Sequence, residues 1–281
     1  MYIAMNATLV TGRVQWPELA RVAAKAGYPG VDIAFDAARK EGAPATRALL
    51  ERLRLRPAVL GFPVEFRKDD AKFEQDLEHL DDAAQFAKAI QCPRMVTYIP
   101  SSSETPKREL RSLYKKRFSA SAAILAKHDV RLGLEFLGPL HIRTRFPNEF
   151  IWRMGEMLEF AQECGFNVGL LLDSWHWYHA GSTPADILAA GKRGIVHVHF
   201  NDAAMQPPEK VLDSERLMPG EGVIDLVGFL HALKEIRYED ALSVEVFGRG
   251  LKFMPPDEAA RLGLESAQRV FHKAGIAITP Q

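Results

Sequence analysis

At 281 residues the chain can hold two average domains or one large α/β barrel, a fold that typically takes about 250 residues. Hydrophobic residues make up 47% and charged residues 26%, the proportions of a globular protein with a sizeable core. Lys plus Arg equals Asp plus Glu at 36 each, which argues against a nucleic-acid or membrane-surface partner, because such partners usually leave a basic excess. A local basic patch stays open. Cys92 and Cys164 match no metal or redox spacing and read as buried thiols in a reducing compartment. The stretch MYIAMNATLVTG has no basic region before an apolar run, and no apolar run approaches the roughly 20 residues a bilayer requires. The expectation is a cytoplasmic protein.

Along the chain, short apolar runs alternate with longer amphipathic segments. The strand-like runs are YIAMNA (2–7), GVDIAF (30–35), RPAVLGF (56–62), RMVTYI (94–99), RLGLEFL (131–137), VGLLLD (168–173), IVHVHF (195–200) and ALSVEVF (241–247). Between them WPELARVAAKAG, FEQDLEHLDDAAQFAKAI, YKKRFSASAAILAKH and DLVGFLHALKEI repeat apolar residues at helical steps of three and four. Eight strands, each followed by a helix, with no linker or low-complexity segment, predict an α/β chain forming a single (β/α)8 TIM barrel over residues 1–281. A doubly wound open sheet is the alternative. Polar residues at the ends of several consecutive strands favour the barrel, whose active sites lie at the carboxyl ends of the strands.

Alternate strand residues face opposite sides, so the last four strands can be read by parity. Large apolar residues (Leu132, Leu134 and Phe136; Val168, Leu170 and Leu172; Val196, Val198 and Phe200; Leu242, Val244 and Val246) occupy one face, to pack under helices. The opposite face then carries Glu135, Asp173, His199 and Glu245 inward near four neighbouring strand ends. One step deeper lie Gly133, Leu171, His197 and Ser243. Three carboxylates and an imidazole converging in a barrel mouth would repel one another and force protonation. A divalent cation resolves the conflict, and three oxygens with one nitrogen suit one ion of Mn, Zn, Mg or Co. The alternative is four separate polar residues, each satisfied by backbone groups or ion pairs.

The blocks GLEFLG, GLLLDSWHWYHAG, HVHFND, DSERLMPGEGVIDL and LSVEVF resemble the xylose-isomerase-like sugar isomerase/epimerase barrels, and among these the inosose isomerases. The similarity is densest from about Arg131 to Arg249. It implies that Glu135, Asp173, His199 and Glu245 bind one divalent metal. It also implies that His176 is a substrate-binding or acid/base group and that Arg216, ahead of PGEG, reaches the substrate. The chemistry implied is isomerisation or epimerisation of a keto-sugar or keto-inositol through a metal-stabilised enediolate, with Glu135 and Glu245 moving protons at carbon. Ketose 3-epimerases of this kind carry an acid six residues past the first metal Glu, where this chain has His141, which speaks against that narrower activity.

Other residues have two readings each. Trp175, Trp177 and Tyr178 form a wall for a sugar ring or pack the rim, and Trp175 is the one expected at the substrate. His179 reads as a surface or supporting histidine, and His197 as a hydrogen-bonding support one layer below His199. Asn6, at the end of the first strand, is expected to face the mouth and bond substrate. PGEG is a turn into a helix capped by Asp225, with a phosphate-cradling loop as the weaker reading. The rival functions are a metal-dependent dehydratase acting on a keto-polyol or 3-dehydroshikimate-like ring, an AP endonuclease and a non-catalytic sugar-binding barrel. The endonuclease would need histidines after the third and fourth strands and an Asp-x-His near residue 213, where the chain reads Asp213-Ser-Glu. A small-molecule keto-sugar or keto-polyol is therefore the expected partner, without nucleic acid or membrane, and a homo-oligomer is compatible with the composition.

Overall fold

Eight parallel strands close into a barrel in the computed structural model, which describes residues 1–279. They are β1 (Tyr2–Met5), β2 (Gly30–Ile33), β3 (Arg56–Gly61), β4 (Arg94–Tyr98), β5 (Arg131–Glu135), β6 (Val168–Asp173), β7 (Ile195–Phe200) and β8 (Ala241–Val244). Each strand pairs with its sequence neighbours, and β8 returns to β1 with Tyr2 opposite Ala241 and Met5 opposite Val244. Every strand is followed by at least one helix, so the predicted (β/α)8 architecture holds. Strands β1 to β5 and β8 end earlier than their apolar runs suggest, and Glu245 lies one residue past β8.

The helices form for reasons visible in their sequences. Residues 154–164 place Met154, Met157, Phe160, Ala161 and Cys164 at helical spacing, and all five are buried against the barrel. Thr183 and Asp186 cap the helix 184–194 reciprocally, and Asp225 caps 226–235 by accepting from the Gly228 amide. Both cysteines are buried and unpaired, and burial pushes each thiol up to about 12, so they are inert core groups. Among the described residues, no helix is long and apolar enough to cross a membrane.

The large apolar core lies between the barrel and its helices, while a smaller group of Tyr2, Ala4, Ala58 and Ala241 fills the barrel interior below the site. One strand departs from strict alternation. Leu170 pairs with Ile195 but Leu171 pairs with His197, so β7 bulges at Val196. Val196, expected under a helix, instead meets the empty Cβ positions of Gly133 and Gly169 at 3.3 and 3.1 Å. The bulge leaves His197 and His199 on the inner face, and the alternation above it survives.

Candidate metal and substrate site

Four side chains meet where β5, β6, β7 and β8 end. One donor atom from each of Glu135, Asp173, His199 and Glu245 lies within 4.8 Å of every other, and the first three residues are buried. His199 Nδ1 stands 3.0 Å from Glu245 Oε2, 3.5 Å from Glu135 Oε1 and 3.7 Å from Asp173 Oδ2. Glu135 Oε1 and His199 Nδ1 are buried and lack a hydrogen-bond partner of acceptable geometry. Orphaned polar atoms at that depth are costly, roughly 1–3 kcal/mol each.

Asp173 does two jobs with its two oxygens. Its Oδ1 accepts from the backbone amides of Trp175 (2.7 Å) and His176 (3.0 Å), starting the short helix 174–179 that carries His176. Its Oδ2 accepts from Arg216 Nη1 at 2.7 Å and from Asn201 Nδ2 at 3.0 Å. Burial opposes its charge, but Arg216 above all holds the carboxyl down at about 2. Gly138 lets this helix dock, since a Cβ there would stand 2.5 Å from the His176 carbonyl oxygen and 2.7 Å from the Ala180 nitrogen.

Arg216, expected at the substrate, is anchored among the cluster. It is 2% exposed, and Nη1 also donates to Glu245 Oε2 at 2.9 Å, while Nε donates to Asp213 Oδ1 at 2.8 Å. Its guanidinium lies 5.0 Å from the Trp175 ring centroid and 4.7 Å from that of Phe247. Gly248, at φ +80°, lets the backbone pass where any Cβ would meet the Ser214 carbonyl at 1.9 Å, and so presses the 213–216 segment inward. Three carboxylates less this one guanidinium leave two negative charges, the charge of one divalent cation. Without such an ion, protons make up the difference. Burial pushes Glu135 up to about 7, and the glutamates hold His199 protonated well above its usual value despite burial. The donor set, its orphaned atoms and its charge all fit a divalent metal.

His176 is 1% exposed, with Nε2 3.2 Å from Arg216 Nη2 and Nδ1 unpartnered. Burial lowers it to about 4, more than Asp173 raises it, so its ring is neutral near pH 7 and accepts from Arg216. His179 also falls to about 4 through burial and packs edge-on against Trp175, 4.4 Å between ring centres. Trp177 turns away from the mouth onto Phe229 at 5.3 Å and belongs to the core. Asn6 faces the interior, donating to Asp32 Oδ2 at 2.8 Å and accepting from the Thr8 amide at 2.8 Å. The phosphate-cradle reading of PGEG fails because the chain fills that cradle itself. Asp202 accepts from the amides of Ala203, Gly220, Gly222 and Ile224 at 2.8–3.0 Å.

Sequence reasoning missed three supporting residues. Asp32 is buried beneath the cluster, where His197 donates to Ser243 Oγ (3.0 Å) and Ser243 donates to Asp32 Oδ1 (2.6 Å). Burial raises the Asp32 carboxyl to about 6, against His199, Ser243 and Asn6. The alternation Val31-Asp32-Ile33 in GVDIAF carried that signal, as parity did in the last four strands. Asn201 and Asp202 follow β7 in a loop, where no periodicity points to them.

The sequence profile of xylose isomerase-like TIM barrels matches residues 20–270. The inosose isomerase of Halalkalibacterium halodurans is 27% identical over 78% of this chain and 76% of its own length. A xylose isomerase domain protein from Alicyclobacillus acidocaldarius superposes with a TM-score of 0.89 at 28% identity, covering 98% of this chain and 99% of that one. The IOLI protein, solved with a bound zinc atom, superposes at 0.83 and 22% identity over 98% and 99% of the two chains, a likeness of fold.

Proposed function

Because the chain belongs to the xylose isomerase-like TIM-barrel family, we propose that it is a divalent-metal-dependent isomerase or epimerase of a polyhydroxylated ketone, a keto-sugar or keto-inositol. The observation that carries this is the convergence of Glu135, Asp173, His199 and Glu245 within 4.8 Å in the barrel mouth. The relation to inosose isomerases supports the substrate class.

Glu135, Asp173, His199 and Glu245 would hold the ion. When bound, a divalent cation supplies a Lewis acid for the carbonyl and neighbouring hydroxyl oxygens. The chain's own residues then account for the proton movements. A base takes the proton from the carbon beside the carbonyl, and a second group returns one to the adjacent carbon. Glu135 and Glu245 have the chemistry for this, since each brings a carboxylate into the barrel mouth. His176, neutral and buried, binds substrate oxygen by hydrogen bonding and does not switch charge. Arg216 keeps Asp173 ionised and holds the Glu245 carboxylate in place.

The test is NMR of 2-keto-myo-inositol and related ketoses in deuterated buffer with Mn²⁺. Wild-type protein should place solvent deuterium at the carbon next to the carbonyl and release an isomer. Glu245→Gln should abolish this while the fold, read by circular dichroism, is unchanged. Undiminished turnover by Glu245→Gln would sink the role, and a product lighter by one water would make the reaction an elimination.

A further inference from the structure

Next to the cluster, the barrel mouth opens into a cavity of about 450 Å³. Tyr98, whose backbone pairs with Glu135, and Leu137, two residues beyond it, form one side, and Asp213, which holds Arg216, closes another. The cavity therefore lies where the far end of a metal-site substrate would extend. Its remaining wall comes from 100–102 and 141–146, segments tied together by the short antiparallel pairing of Ser102–Ser103 with Asn148–Glu149 and by Ser102 Oγ donating to the Ile142 carbonyl at 2.7 Å.

The polar groups of this wall are unusual in what they lack. Ser101 is fully buried and its Oγ has no partner, and His141 Nδ1, on the same wall, is buried and unpartnered as well. Both residues line the cavity. Arg145 borders the cavity with no carboxylate within ion-pair distance among the described residues, its guanidinium 5.5 Å from the Phe146 ring centroid. The one acid in the lining, Asp213, is already committed to Arg216. The wall thus offers a cation and unpartnered hydrogen-bonding groups with no free negative charge, a surface that favours an anion.

We propose that this cavity binds an anionic substituent, a carboxylate or a phosphate, at the end of the substrate remote from the metal cluster, with Arg145 as the specificity-determining residue and Ser101 and His141 completing the contact. The inference rests on the reading that the mouth takes a polyhydroxylated ketone, and it narrows that class to acidic or phosphorylated members.

Calorimetric titration of the full-length, Mn²⁺-loaded protein with non-reacting cyclitols tests this apart from catalysis. The probes are myo-inositol (neutral), quinate (carboxylated) and myo-inositol 1-phosphate, which also separates the two anions. At least one anionic cyclitol should bind tenfold or more tighter than myo-inositol. Arg145→Ala should reduce that preference to within about twofold, and Arg145→Lys should restore part of it. Equal or tighter binding of myo-inositol by the wild type, or a preference surviving in Arg145→Ala, would overturn the proposal. A preference that depends on Arg145 in a protein showing no deuterium exchange would support the anion site and strike only at the proposed reaction.

Discussion

Arg216→Met tests whether the guanidinium is an electrostatic member of the cluster. The substitution keeps an unbranched chain against Trp175 and Phe247 but removes the bonds of 2.7 Å to Asp173 and 2.9 Å to Glu245. Asp173 is 0% exposed, so its charge loses its main partner with no water to replace it. Breaking a buried pair from one side costs about 3–5 kcal/mol. With an unfolding entropy of about 2.1 cal/mol/K per residue, a chain of 281 residues loses roughly 2 °C of Tm per kcal/mol. The chelator-treated variant should therefore melt roughly 5–10 °C below wild type, measured by calorimetry at neutral pH. Adding Mn²⁺ should then raise the variant's Tm by more than the wild type's, because a divalent ion replaces the missing positive charge and binding to the native state alone is stabilising. Chelator-treated Tm values within about 2 °C of each other, or a smaller metal-induced rise in the variant, would refute the charge argument.

Metal affinity should depend on pH in a direction set by the two protons the cluster holds. Glu135, raised to about 7 by burial, and His199, held protonated by the glutamates, must both release protons when an ion binds, so affinity should increase as pH rises. Titration in buffers of different ionisation heat should give roughly one to two protons released per ion near pH 6.5, and none released would contradict the assignment. Gly138→Ala would force the helix 174–179 away, since both clashing atoms are backbone. It should cost about 1–3 kcal/mol in denaturant melts and depress turnover through His176, and wild-type values for both would show that the close approach is unimportant.

Much of this protein could be read from local pattern. The period-2 and period-3.6 runs give the eight βα units, because a strand or helix must bury one face and its sequence shows which. Parity gives Glu135, Asp173, His199 and Glu245 a common direction, because side chains alternate along any strand and consecutive strands in a barrel are neighbours. The same rule would have found Asp32. What the sequence could not decide is who holds whom across long separations. Arg216 reads as a loop arginine reaching for substrate, yet tertiary structure buries it between Trp175 and Phe247 and ties it to Asp173 and Glu245. PGEG reads as a turn into a helix, and its weaker reading as an anion cradle closes only when Asp202, 18 residues before its first glycine, is seen to fill it. The bulge that turns Val196 inward also escapes any strict alternation. Local sequence determines which face of an element is apolar and where donors point. Burial and charge compensation depend on every element that closes around a group, so the fold alone decides which charges are paired and which, like Arg145, have no carboxylate within ion-pair distance among the described residues.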